Sequence, residues 1–210
     1  MNLIKIYIFG FILIIVSCKE TSHQETKNTL EIDKEQEQRN NQFTQLDTFN
    51  VGYTYWWPQS GPFIGNCGEK YSLVFLGTIH EIYKKTEEIQ YQSQKGIISI
   101  DKVLVAKNLK KKTYNREAYF SSDCFDNVLA NKGDKVIVFC HEYEGSYSIA
   151  GAKSILKISG VNDPIVKSIE RYIQSNQNPL AIQQDIPLWK KHQFDTELKQ
   201  LILCKEMMNP

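Results

Sequence analysis

Thiols, imidazoles, a tryptophan pair and a run of ammonium groups are the side chains of this sequence that could do chemistry. The cysteines are Cys18, Cys67, Cys124, Cys140 and Cys204. No two have Cys-x-x-Cys spacing, so they carry no zinc signature. Cys140 and His141 are adjacent, which invites a thiolate–imidazole reading. Neighbours on a strand point to opposite faces, however, and cannot form that pair with each other. His80 would reach Cys140 only through tertiary folding, and His23 and His192 sit in polar sequence and read as solvated. Trp56-Trp57-Pro58 offers a flat apolar surface of the kind that stacks on sugars, peptides or partner proteins, or else a plug that folds over the body. Lys107, Lys110, Lys111 and Lys112 form a basic loop suited to anionic polymers, or simply a solvated hairpin tip. A Gly-rich phosphate loop, His-Glu-x-x-His and Gly-x-Ser-x-Gly are all missing from the sequence. The expectation is therefore no catalytic residue, no metal and no cofactor.

The elements that must position these groups are mainly strands. Five candidates stand out by apolar alternation and by their bounding turns. They are Tyr71 to Tyr83, Gln94 to Ala106, Glu117 to Ser122, Lys135 to Tyr143, and a last strand within Tyr147 to Ile158, clearest at Ser154-Ile-Leu-Lys-Ile. Gly77 inside the first suits a bulge in a curved sheet. Lys84 to Ser93 reads as a hairpin end, Asn131-Lys132-Gly133-Asp134 as a turn, and Gly145 as the turn of the last hairpin. Helices follow. Asp163 is a good N-cap with Pro164 at the first helical position, and Ile165, Ile169, Tyr172 and Ile173 share one face. A second helix is expected after Asp195, with Leu198, Leu201 and Ile202 inward and Trp189 and Phe194 leading into it. Strands followed by helices argue for a mainly β body with α: a small five-stranded barrel with a C-terminal helical flank.

The first 48 residues have a different character. Tyr7 to Val16 is an almost unbroken apolar run. At about 15 Å of helix it is half of what a bilayer core of roughly 30 Å requires, so it fits the h-region of a signal peptide. Ile15-Val16-Ser17-Cys18 resembles the lipobox of bacterial lipoproteins. The resemblance implies cleavage after Ser17, lipidation of Cys18 with acyl chains such as palmitate, and anchorage to a membrane of the cell envelope with the folded part outside the cytoplasm. The stretch 19–48 has few apolar residues and reads as a flexible tether, spanning roughly 30 Å as a random coil. The expected organisation is signal peptide 1–17, lipidated cysteine and tether 18–48, barrel 49–160 and helical flank 161–210.

The order of features in the body resembles the netrin-like domain, the OB-type barrel of tissue inhibitors of metalloproteinases and their bacterial relatives. The matching pieces are Cys67 before YSLVFLGTI, the strand ISIDKVLVAK from Ile98, and Ser121-Ser122-Asp123-Cys124. A strand GDKVIVF from Gly133 and a following helix complete them, over about 66–175. Outside the cytoplasm the four cysteines that remain after Cys18 suggest disulfides, with three connectivities open. The resemblance implies Cys67–Cys124, leaving Cys140 and Cys204 paired or both free. Zinc-directed inhibition does not carry over. It uses a free N-terminal cysteine beside a Cys-x-Cys, and Cys67 is internal and lacks that partner.

Functionally the sequence points to a tethered, non-catalytic binding or interaction module, whose partner is an envelope or secreted protein. The alternative is a peptidase inhibitor working through a surface loop; an enzyme of unknown class comes last. With 25 basic and 24 acidic residues and a net charge of +1, no electrostatic pull toward nucleic acid is expected.

Overall fold

The computed structural model describes residues 47–53, 59–65, 67–88 and 91–208. Cys18, the tether, Trp56 and Trp57 lie outside the described residues. Among the described residues ten strands and three α-helices form in order: β1 Thr48–Asn50, β2 Gly52–Tyr53, β3 Tyr71–Ile82, β4 Thr86–Glu88, β5 Tyr91–Ser93, β6 Gly96–Ala106, β7 Tyr119–Ser122, β8 Lys135–Tyr143, β9 Ser146–Ile149, β10 Ile155–Lys157, α1 Pro164–Gln174, α2 Ile186–Lys190 and α3 Asp195–Met208. Short 3₁₀ turns cover Ala152–Ser154 and Pro179–Asp185.

The fold is mixed α/β, built on a curled half-barrel. The expected five strands become an eight-stranded sheet of order β1-β7-β6-β3-β8-β9-β2, with β10 also on β8. Two features account for the difference. The last expected strand is broken by Gly151 (φ 119°) and the 3₁₀ turn into β9 and β10, which contact different halves of β8. The segment around Val51 adds β1 and β2, pairing in parallel with β7 and with β9. One short stretch thus bridges the two edges of the sheet, and the Val51 amide donates to the Ser121 carbonyl at 2.9 Å. The 84–93 linker forms the β4–β5 hairpin.

Alternation along the strands builds two cores. Leu73, Phe75, Val136, Val138 and Cys140 point into the half-barrel with Phe49, Ile98, Phe120 and Ile149. Val74, Leu76, Ile137 and Phe139 point outward, under the helices. That outer face is covered by Ile165, Val166, Ile169 and Tyr172 of α1, by Trp189 of α2, and by Leu198, Leu201 and Ile202 of α3. Asp163 caps α1 as its spacing predicts, its carboxylate accepting the Ile165 amide at 3.0 Å. Among the described residues no helix is long and apolar enough to cross a membrane.

The disulfide pairing differs from the one the family resemblance implies. Cys67 bonds Cys204, with Cα atoms 5.4 Å apart, while Cys124 and Cys140 are free and buried. The sheet itself separates the expected partners. Cys124 packs in the barrel core, whereas the chain next to Cys67 lies against the helical layer, Gly68 facing Leu201 of α3.

Candidate functional site

The sequence-selected residues fall in separate places. Cys140 lies inside the barrel among apolar side chains, and burial pushes its thiol well above the usual range. His141, next in sequence, points to the other face, its ring 5.3 Å from that of Tyr71. Burial lowers its pKa to about 3, outweighing a backbone hydrogen bond at Pro62 that acts upward. The alternation argument against a Cys140–His141 pair therefore holds in the structure. His80 sits by Tyr119, ring centroids 5.5 Å apart, on another part of the sheet.

The basic loop is more than a solvated tip. Lys112 lies 4.4 Å over the Phe49 ring and donates to the Asn50 carbonyl, so it pins β1. The Lys111 amide donates to the Gly145 carbonyl at 3.0 Å, and the Tyr147 hydroxyl donates to the Lys107 carbonyl. Lys110 and Lys111 remain exposed. Among the described residues no group of three or more His, Cys, Asp or Glu side chains could hold a metal ion.

Folding also creates a concave surface that the sequence does not announce. A cleft of about 800 Å³ opens beside β10. This lies within the roughly 300–1,000 Å³ range of ligand sites. Its floor is the chain from Gly151 to Lys157. One wall is the loop after β7, with Cys124, Asp126 and Leu129, and the other is the α2–α3 turn with His192 and Phe194. The surface is amphipathic. Ile155, Leu156, Leu129 and Phe194 supply apolar area, and Asp123, Lys153 and His192 supply polar area. Leu129 is 90% exposed, a large apolar side chain left in solvent on the rim.

Local sequence holds this cleft in place. Ser154 is buried, its hydroxyl accepting the Gly61 amide at 3.1 Å, and the Lys153 amide donates to the Ser60 hydroxyl at 3.2 Å. These bonds fix the floor to the segment that follows Trp57 by three residues. Lys85 pairs with Asp126, and Lys157 pairs with Asp134 at 2.7 Å, so the wall after β7 is braced and tied to the floor. Burial raises the Cys124 thiol to about 12, so this side chain lines the cleft as an apolar group and not as a thiolate. The sequence carries no motif for this site: its lining residues come from the loop after β7, from β10 and from the α2–α3 turn, far apart along the chain.

Fold and site together define a curled-sheet α/β domain carrying an open amphipathic cleft. Compared with models of known protein families and with curated proteins, the chain matches none.

Proposed function

We propose that this protein is a lipid-anchored component of a bacterial cell envelope, held through Cys18, whose barrel binds another molecule without transforming it. The observation that carries the reading is the cleft beside β10: concave, amphipathic and of ligand-binding size, with its one cysteine buried in protonated form. An OB-type, netrin-like barrel is supported by the pairing β7-β6-β3-β8-β9. Counted as the five strands of the resemblance, that order is 3-2-1-4-5. In this reading β1 and β2 are an N-terminal addition lying between strands three and five. The tether lets the domain reach partners clear of the bilayer.

The test has two parts. Labelled palmitate should enter the wild-type chain in a bacterial host and not a Cys18→Ala variant. The full chain, immobilised in detergent, should then retain one protein from an envelope extract or culture supernatant, and a Leu129→Glu variant should retain much less of it. Label in the Cys18→Ala chain would sink the anchor. Equal retention by both chains would sink the cleft as the binding surface.

A further inference from the structure

The sheet is unfinished at β10. Its register against β8 is Ile155↔Val138, Leu156↔Ile137 and Lys157↔Val136, antiparallel. The Ile158 amide donates to the Lys135 carbonyl at 2.9 Å. Bonded and non-bonded pairs alternate along an antiparallel ladder, so Leu156 bonds Ile137, and the backbone groups of Ile155 and Lys157 point away from β8. The far side of β8 agrees. The Ile79 amide donates to the Asp134 carbonyl at 3.0 Å, which by the same alternation turns Val136 and Val138 toward β3. The Ile155 N–H turns back to the Ala152 carbonyl. The Ile155 carbonyl and both backbone groups of Lys157 are then left on an edge with no strand beside it among the described residues.

This edge is the floor of the cleft. Exposed edges attract added strands, and proteins usually blunt them with charged side chains. Here the Lys157 ammonium is engaged by Asp134 on a neighbouring turn. We propose that the cleft captures an extended peptide segment of another protein, which adds to the free edge of β10 as a further strand. This deepens the binding-module reading and rests on it. The backbone groups set the chemistry: an occupant must present N–H and C=O at strand spacing, along about 10 Å of edge. Alternate side chains of the guest would face Ile155 and Cys124 on one side and Leu156 and Phe194 on the other. Lys153 and Asp123 have no ion pair among the described residues, so an acidic residue near Lys153 and a basic one near Asp123 complete the fit. A second copy of this chain does not suit the site. Its β10 is recessed between the same two walls, and two recessed edges cannot meet.

The experiment uses the full chain in detergent, with linear peptides selected on it from a random display library as probes. Lys157→Pro deletes the outward N–H and leaves the β8 ladder intact; Lys157→Ala deletes only the side chain. The expected result is binding weakened about tenfold or more by Lys157→Pro and changed little by Lys157→Ala, with unfolding midpoints matched to wild type. N-methylation along a selected peptide should weaken binding at every second residue. If Lys157→Pro unfolds the chain, the N-methyl scan on the wild type decides alone. No selected peptide, or peptides indifferent to N-methylation, would overturn the inference. So would dimerisation of the chain that Lys157→Pro abolishes, since the occupant would then be a second copy. Should the extract pull-down still discriminate Leu129→Glu in those cases, the binding-module reading survives and only the strand-addition mode fails.

Discussion

Cys67, in the loop before β3, is bonded to Cys204 on α3, with their Cα atoms 5.4 Å apart although 137 residues separate them. The bond ties the helical flank to the start of the barrel, beside the contact of Gly68 with Leu201. A cross-link closing so long a loop restricts the unfolded chain strongly. Loss of a native bridge typically costs about 2–5 kcal/mol. Cys67→Ser, Cys204→Ser and the double variant should each lose stability in that range, and to a similar extent, in denaturant unfolding. Peptide mapping without reductant should recover Cys67 joined to Cys204, with Cys124 and Cys140 alkylated only after denaturation. A Cys67–Cys124 peptide would refute the pairing.

Gly77 sits where β3 coils. The register against β6 shifts between Leu76 and Gly77, and a Cβ there would meet Ile98 Cγ2 and the Ser99 carbonyl oxygen, each at 2.5 Å. The second of these is backbone of the paired strand and cannot rotate away. Gly77→Ala should therefore destabilise by about 1–3 kcal/mol through overpacking. The midpoint of urea unfolding measures this. An unchanged midpoint would mean that the two strands separate without cost.

Under the helices, a chain of hydrogen bonds fixes Trp189. Its indole Nε1–H donates to the Ser168 hydroxyl at 3.0 Å, and that hydroxyl donates to Asp185 at 2.7 Å, while Arg171 also pairs with Asp185. Ser168→Ala strands the indole N–H in a buried site and should cost about 1–3 kcal/mol. Ser168→Thr, which keeps the hydroxyl, should recover part of the loss. Equal destabilisation by both would assign the effect to packing alone.

What the sequence made legible was local. The apolar alternation of β3, β6, β7 and β8, the bulge at Gly77 and the Asp163–Pro164 start of α1 each depend on neighbouring residues, and each is where its pattern predicts. The parallel pairings of β1 with β7 and β2 with β9 join two- and three-residue stretches to remote partners. Segments so short show no periodicity. The Cys67–Cys204 bond was equally opaque, because spacing does not encode connectivity. The cleft arises where three segments meet, the loop after β7, β10 and the α2–α3 turn. Each is unremarkable in isolation, and only their convergence makes a site. The Trp56-Trp57 surface and the Cys18 anchor lie outside the described residues.

His141 gives the fold a pH dependence of its own. The imidazole is buried beside Tyr71 under the helical layer, and its pKa falls from 6.5 to about 3, chiefly because burial disfavours the charged ring; Lys107 adds to the fall and the Pro62 backbone opposes it. The unfolded chain takes up a proton at this residue below about pH 6.5, whereas the folded chain stays neutral there until about pH 3. Stability from the neutral ring is thus complete above pH 6.5 and is lost progressively as pH falls toward 3, by at most roughly 4–5 kcal/mol. Tyr71 is uncharged throughout that window, its pKa raised by burial. Asp134, Asp163 and Asp195, all held below the usual carboxylate range, contribute in the same direction but only at the acidic end. The stretch from pH 6.5 to 5 lies above the range of those carboxylates, and comparison with a His141→Leu variant assigns the remaining change to this residue. Urea midpoints should decline over that stretch in the wild type and stay nearly flat in His141→Leu. A matching decline in the variant would remove His141 as the cause, and an imidazole NMR titration showing protonation near pH 6 in the folded chain would do the same.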